Sequence, residues 1–358
     1  MGEARTGGEA ALSGVTAELD AALRHAAAQA PGSAAFAELL DSLHVHVGAG
    51  KLIRPRLVEL GWRLATADPV PPSGRAAVDR LGAAFELLHT ALLVHDDVID
   101  RDTLRRGQPA VHASARHRLE ARGVPAADAA HAGVAVALIA GDVLLTQAFR
   151  LAATCAADTA RAAEAAAVVF DAAAVTAAGE LEDVLLGLSR HTGEEPDPDR
   201  ILAMQRLKTA HYTVGAPLRA GALLAGADPD LARAMGEAGA DLGAAYQVID
   251  DVLGVFGDPG ETGKSADGDL REGKATVLTA HGRRDPAVRA LLDAGPATPE
   301  ELEAARRALE AAGAREHALD VAAELTVRAR ERIAALPLDE TVRAEFADAC
   351  HAVLTRRS

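Results

Sequence analysis

The sequence predicts an all-α protein, and three observations predict it. Ala, Leu, Glu and Arg dominate its 358 residues, and these are strong helix formers. Aromatic residues make up only 3%. No stretch alternates polar residues with Val, Ile and Tyr as a half-buried strand would. The length suffices to bury a large core, and length alone would allow two domains.

Residues 1–14 are Gly-rich and polar and are expected to be a disordered tail. Helices are expected over Val15–Gln29 and Phe36–Val47. The following GAGKLIRPRLVEL places Lys51 and Arg54 near the start of the next helix, where a basic helix N-terminus makes an anion site. Taken alone, it fits equally well a basic helix start with Pro55 in its first turn. A Pro-rich loop, residues 68–74, precedes a long helix over Arg75–Asp100. Residues 101–109 form a charged turn, and His112–Arg122 a short helix. Ala126–Ala153 and the alanine-rich Thr159–Leu186 are long helices, and residues 193–199 a loop. Ile201–Gly226 is helical with a kink near Gly215–Pro217. Pro229–Phe256 is a further helix, residues 257–273 a polar loop, and residues 275–358 more helices.

The net charge is −15, from 52 acids against 37 Lys and Arg, which argues against a general nucleic-acid binder. Cys155 and Cys350 fit no metal or redox spacing and read as free thiols in a reducing cytosol. No signal sequence opens the chain, and no uncharged apolar run reaches the roughly 18 residues of a membrane span. Residues 130–145 come nearest, interrupted by His131 and Asp142. A cytoplasmic protein without a membrane span is expected.

The chain is organised around ELLHTALLVHDDVIDRDTLRRGQPAVH, Glu86–His112. Asp96 and Asp100 are four apart and share a helix face, with Asp97 about 100° round. Three carboxylates at that spacing repel one another unless a cation lies between them. Hard oxygen ligands suit magnesium, which takes carboxylates together with phosphate oxygens. Arg105 and Arg106 follow closely, so a metal-bound diphosphate is the indicated ligand. A solvated acidic helix end is the plainer reading. The preceding apolar run and a second carboxylate pair, Asp250 and Asp251, count against it. Basic residues Lys51, Arg54, Arg105, Arg106, Lys208, Lys264 and Lys274 are scattered along the chain. A single bundle whose helices point polar ends at one cavity would gather them, favouring one domain over residues 15–358. His89 and His95, on a mostly apolar helix, read from sequence alone as satisfied core residues.

The motifs GKLIRP, HTALLVHDDVIDRDTLRRGQPAVH, KTA, YQVIDDVLGVFGD, TGK and GKATVL occur in this order from Gly50 to Leu278. With them the chain resembles the trans-isoprenyl diphosphate synthases of the polyprenyl synthetase family. The resemblance implies an isoprenoid-synthase-type helical bundle around a central cavity. It implies condensation of isopentenyl diphosphate with dimethylallyl, geranyl or farnesyl diphosphate, and a homodimer. It assigns Asp96, Asp97, Asp100, Asp250 and Asp251 to Mg2+, with three ions. It assigns Arg105, Lys208 and Lys264 to the allylic diphosphate, and Lys51, Arg54, His89 and Arg106 to isopentenyl diphosphate. Thr209 and Gln247, with Lys208, would face the developing allylic cation, and the released diphosphate would take the proton. Two positions depart from the family pattern. Gly254 replaces the third aspartate of the second motif, and Glu180 replaces Gln in the motif ending at Asp183.

Chain length in such enzymes depends on side chains below the first aspartates. Ala91 and Leu92 are not aromatic, so a floor at farnesyl length is missing. Phe85 lies eleven residues before Asp96, about 16 Å at the helical rise, and Leu88 lies one turn nearer. Geranylgeranyl diphosphate is therefore the expected main product, with farnesyl or longer products as the alternative. A class I terpene cyclase would want more aromatics. A histidine–aspartate phosphohydrolase would use His89, His95 and Asp96, and a non-catalytic helical subunit would bind no magnesium diphosphate.

Overall fold

The computed structural model describes residues 3–188, 197–257, 270, 271 and 273–355. Its elements are helices apart from one two-stranded ladder, so the all-α expectation holds. The chain forms two compact units, residues 1–170 with 217–228 and residues 171–216 with 229–358.

In the first unit, α1 is Glu3–Gln29, α2 Ala34–Leu43, α3 Ile53–Thr66 and α4 Pro72–Ile99. α5 (Val111–Ala121) and α6 (Ala126–Ala153) follow. α1 includes most of the segment expected to be a tail. α4 packs against α1, α3 and α6. Its buried residues recur at helical spacing, with Val78, Leu81, Phe85 and Leu88 almost wholly shielded, so α4 is the core helix of this unit. The turn expected at residues 101–109 is a small hairpin, β1 (Leu104–Arg105) pairing antiparallel with β2 (Gln108–Pro109). Its two-residue loop, Arg106–Gly107, has φ of 54° and 73°. Positive φ at both central residues matches the twist of a tight hairpin, which explains glycine at 107 and puts strain at Arg106.

α7 spans Thr159–Gly187. In the second unit, helix Pro198–Gln205 runs into a π-helical segment, Arg206–Gly215, and α-helix resumes at Ala216. Near Gly215–Pro217, where a kink is expected, the helix changes type. Helix Pro229–Phe256 packs against the π segment and helices Ala314–Ala334 and Glu340–Leu354. Asp241, fully buried on that helix, pairs with Arg206, with Arg332 at 2.7 Å and with Arg328 at 3.2 Å. Three guanidiniums offset the cost of burying its charge.

α6 and α7 each contain a window apolar enough, with its charged residues counted, to be a weak candidate for a membrane span, though neither holds an uncharged run of 18 residues. Alanine lifts their hydropathy even with His131 and Asp142 present. Both cysteines are free and buried.

Candidate active site

The last turn of α4 carries the first carboxylate set. Oxygens of Asp96 and Asp100 lie within 4.8 Å of each other, as i and i+4 positions on one helix face should. Asp97 points inward and is 3% exposed. The hairpin returns Arg105 to this turn. Its Nε donates to Asp97 Oδ1 at 2.6 Å, and its Nη2 reaches Asp96 and Asp102 at 3.3 Å each. Burial pushes the Asp97 carboxyl up to about 6, against the pull of Arg105. Arg105 is itself half-buried, and the neighbouring carboxylates raise its pKa above the usual arginine value against the cost of burial. One cation thus already sits among three carboxylates. Hard oxygen donors this close suit magnesium, so the donor set fits that ion.

The predicted isopentenyl diphosphate residues gather beside it in the same unit. Arg106 donates to the Ala49 carbonyl, joining the hairpin to the loop that carries Lys51. Lys51 is exposed, whereas Arg54 is buried and pairs with Glu86 at 3.6 Å. His89 lies three residues beyond Glu86. Burial, then Arg54, Arg106 and Arg105, hold its imidazole well below the ordinary histidine range. A neutral imidazole among three guanidiniums marks a strongly positive corner, suited to an anion. Phe85, Leu88 and Ala91 are fully buried on α4, and Leu92 is half-buried.

The second unit holds the other group. Lys208 pairs with Asp183 at 2.6 Å and Glu180 at 3.0 Å. Glu180 therefore serves as a counter-ion where the family pattern has Gln. α7 meets the π segment backbone to backbone at Gly179, where a Cβ would collide with the main chain of Lys208. Only glycine permits that approach. Thr209 lies in the π segment, half-buried. π-turns recur at functional sites because they re-aim side chains. Asp251 is buried and accepts from both Gln205 and Gln247, the latter at 2.8 Å. Both its oxygens are thus engaged by amides, and it orients Gln247. Asp250 is half-buried on the same helix. Lys274 accepts through its carbonyl from Thr279 Oγ1 at 2.9 Å. Lys264 and the TGK motif lie outside the described residues.

Sequence reasoning missed Glu86, Asp102 and Gln205. Glu86 carried a signal, being a carboxylate within the apolar face of α4. Gln205 carried none, since only the fold brings it to Asp251. His95 Nε2 lies 3.4 Å from the Leu138 carbonyl and 3.7 Å from Asp142. Among the described residues the group of possible metal-ligating side chains, which includes Asp96 and Asp100, holds no histidine.

Residues 37–311 match the family model described as polyprenyl synthetase. The chain is 33% identical over 306 residues to the geranylfarnesyl diphosphate synthase of Aeropyrum pernix, covering 83% of this chain and 86% of that one. It is 32% identical over 241 residues to the geranylgeranyl diphosphate synthase of Sulfolobus acidocaldarius, covering 66% and 64%. The crystal structure of geranylgeranyl pyrophosphate synthase from Corynebacterium glutamicum, complexed with isoprenyl diphosphate and magnesium, superposes with a TM-score of 0.87. That similarity covers 98% of both chains at 30% identity.

Proposed function

Because the chain belongs to the polyprenyl synthetase family and is a prenyltransferase, we propose that it condenses isopentenyl diphosphate with an allylic diphosphate in trans, mainly to geranylgeranyl diphosphate. The observation that carries this reading is the carboxylate turn of α4 with Arg105 folded onto it, below which Phe85 is the first aromatic side chain. Asp96, Asp97 and Asp100 would hold magnesium, and Asp250 would contribute to the three-ion set. Bound magnesium supplies charge neutralisation for the diphosphate leaving group.

The chain's own residues do the rest. Arg105, Lys208 and Lys264 bind the allylic diphosphate. As the carbon–oxygen bond breaks, its electron pair leaves with the diphosphate. Lys208, Thr209 and Gln247 face the allylic cation, and Asp251 holds the Gln247 amide in place. Lys51, Arg54, His89 and Arg106 hold isopentenyl diphosphate, whose double bond attacks the cation carbon. The proton lost in the last step passes to the released diphosphate, and His89 stays neutral. The apolar wall of Phe85, Leu88, Ala91 and Leu92 excludes water and accepts the growing chain.

A homodimer suits the apolar side chains left exposed on α6 and α7, which include Leu138, Ile139 and Phe170, then Leu181 and Leu185. A reducing cytoplasm suits two buried free thiols. The test is incubation with magnesium, radiolabelled isopentenyl diphosphate and dimethylallyl, geranyl or farnesyl diphosphate in turn. Each primer should be elongated, and Asp96→Ala should lose about 10³-fold in rate while keeping its helical circular dichroism. No elongated product from any primer would refute the proposal.

A further inference from the structure

We infer that Glu86 is a positioning residue for the isopentenyl diphosphate site, holding the Arg54 guanidinium in place before the anion arrives. This rests on the proposed role of Arg54.

Glu86 is 5% exposed and Arg54 8% exposed, with Oε1 and Nη1 3.6 Å apart. Two charged side chains this deeply buried are rare unless they serve one another. The packing of α3 on α4 brings them together. α3 begins from Leu52, whose φ of 47° is strained for a branched side chain. Three residues on, Pro55 lies so close to Gly82 that a Cβ there would stand 2.9 Å from the Pro55 Cβ and 3.0 Å from its Cα. Arg54, the neighbour of Pro55, is thereby delivered to the next turn of α4. That turn begins four residues after Gly82, at Glu86.

The electrostatics say why a carboxylate belongs there. Arg54, Arg106 and Arg105 all act on His89, one turn beyond Glu86. Without an anion, clustered guanidiniums repel one another, and a buried one bears a desolvation cost as well. Glu86 offsets both for Arg54. At 3.6 Å the pair is looser than a close hydrogen-bonded ion pair, so Glu86 neutralises Arg54 more than it binds it. A site fixed beforehand loses less on binding, so the effect should appear in affinity for one substrate.

The experiment is steady-state kinetics of Glu86→Gln with each substrate varied in turn, together with Arg54→Gln and the double variant. Glu86→Gln should raise KM for isopentenyl diphosphate about tenfold, the loss expected for a charge-assisted contact. The allylic KM and kcat should stay within about threefold. In the Arg54→Gln background, adding Glu86→Gln should change KM for isopentenyl diphosphate less than twofold, because the carboxylate acts through the arginine. If Glu86→Gln does not fold, Glu86→Asp should raise the same KM alone by about threefold. An equal rise in both KM values, a fall confined to kcat, or full additivity with Arg54→Gln would overturn the assignment. A wild-type enzyme active on both substrates with unchanged Glu86 variants defeats this inference alone. A wild type that elongates no primer defeats the underlying function as well.

Discussion

At the scale of single residues, the decisive feature is one arginine held by several carboxylates. Arg105 holds Asp96, Asp97 and Asp102 together, the place where the proposed function puts metal and diphosphate. Asp97 is the residue through which this can be read by pH. Its carboxyl is raised from 3.8 to about 6, burial being the larger cause. The folded protein therefore keeps this proton between about pH 4 and 6, where the unfolded chain has lost it. Stability from this group is present at pH 4 and is lost as the pH rises through 6. Metal-free thermal melts should show a loss on the order of 2–3 kcal/mol from this carboxyl over that window, and Asp97→Asn should remove the slope. A slope unchanged in the variant would assign the effect elsewhere. The aspartates, arginines and lysines proposed for the site were read from spacing and motif order. The Glu86–Arg54 and Gln205–Asp251 pairs were not, since each joins residues far apart in the chain.

At the scale of elements, helix periodicity located α4, α6 and α7 to within a few residues at each end. Two local forms were hidden from it. The hairpin at residues 104–109 is too short to show alternation, and only its Arg106–Gly107 turn betrays it. The π segment Arg206–Gly215 has the composition of an ordinary helix, and a π-turn costs too little in sequence preference to be seen. Tertiary contact explains it better. α7 reaches the Lys208 backbone at Gly179 with no room for a side chain. Gly179→Ala should therefore push these elements apart. The expected result is a destabilisation of about 1–3 kcal/mol by chemical denaturation, with kcat reduced through displaced Lys208 and Thr209. A variant as stable and as active as the wild type would contradict that contact.

At the scale of the whole molecule, the family match from residue 37 to 311 includes parts of both compact units, so neither unit alone carries the activity's motifs. The single domain expected over residues 15–358 rested on gathering scattered charges. Composition leaves α6 and α7 as weak span candidates, because alanine serves buried helices and apolar spans alike. Leu138 and Ile139 on α6 are exposed, and the proposed homodimer would bury them. Sedimentation should show a dimer for the wild type, and Leu138→Glu with Ile139→Glu should shift it to monomer. A wild-type monomer would refute the dimer.

Across these scales we propose that α4 grips the reacting diphosphate at Asp96 and sets product length with the face below. The most direct measurement is product length by mass spectrometry for the wild type and Ala91→Phe, both primed with geranyl diphosphate. Because Ala91 is fully buried, a thermal melt first confirms that the variant is folded. The account predicts twenty-carbon product from the wild type and a shift to fifteen carbons in Ala91→Phe. The same product distribution from both proteins would contradict it.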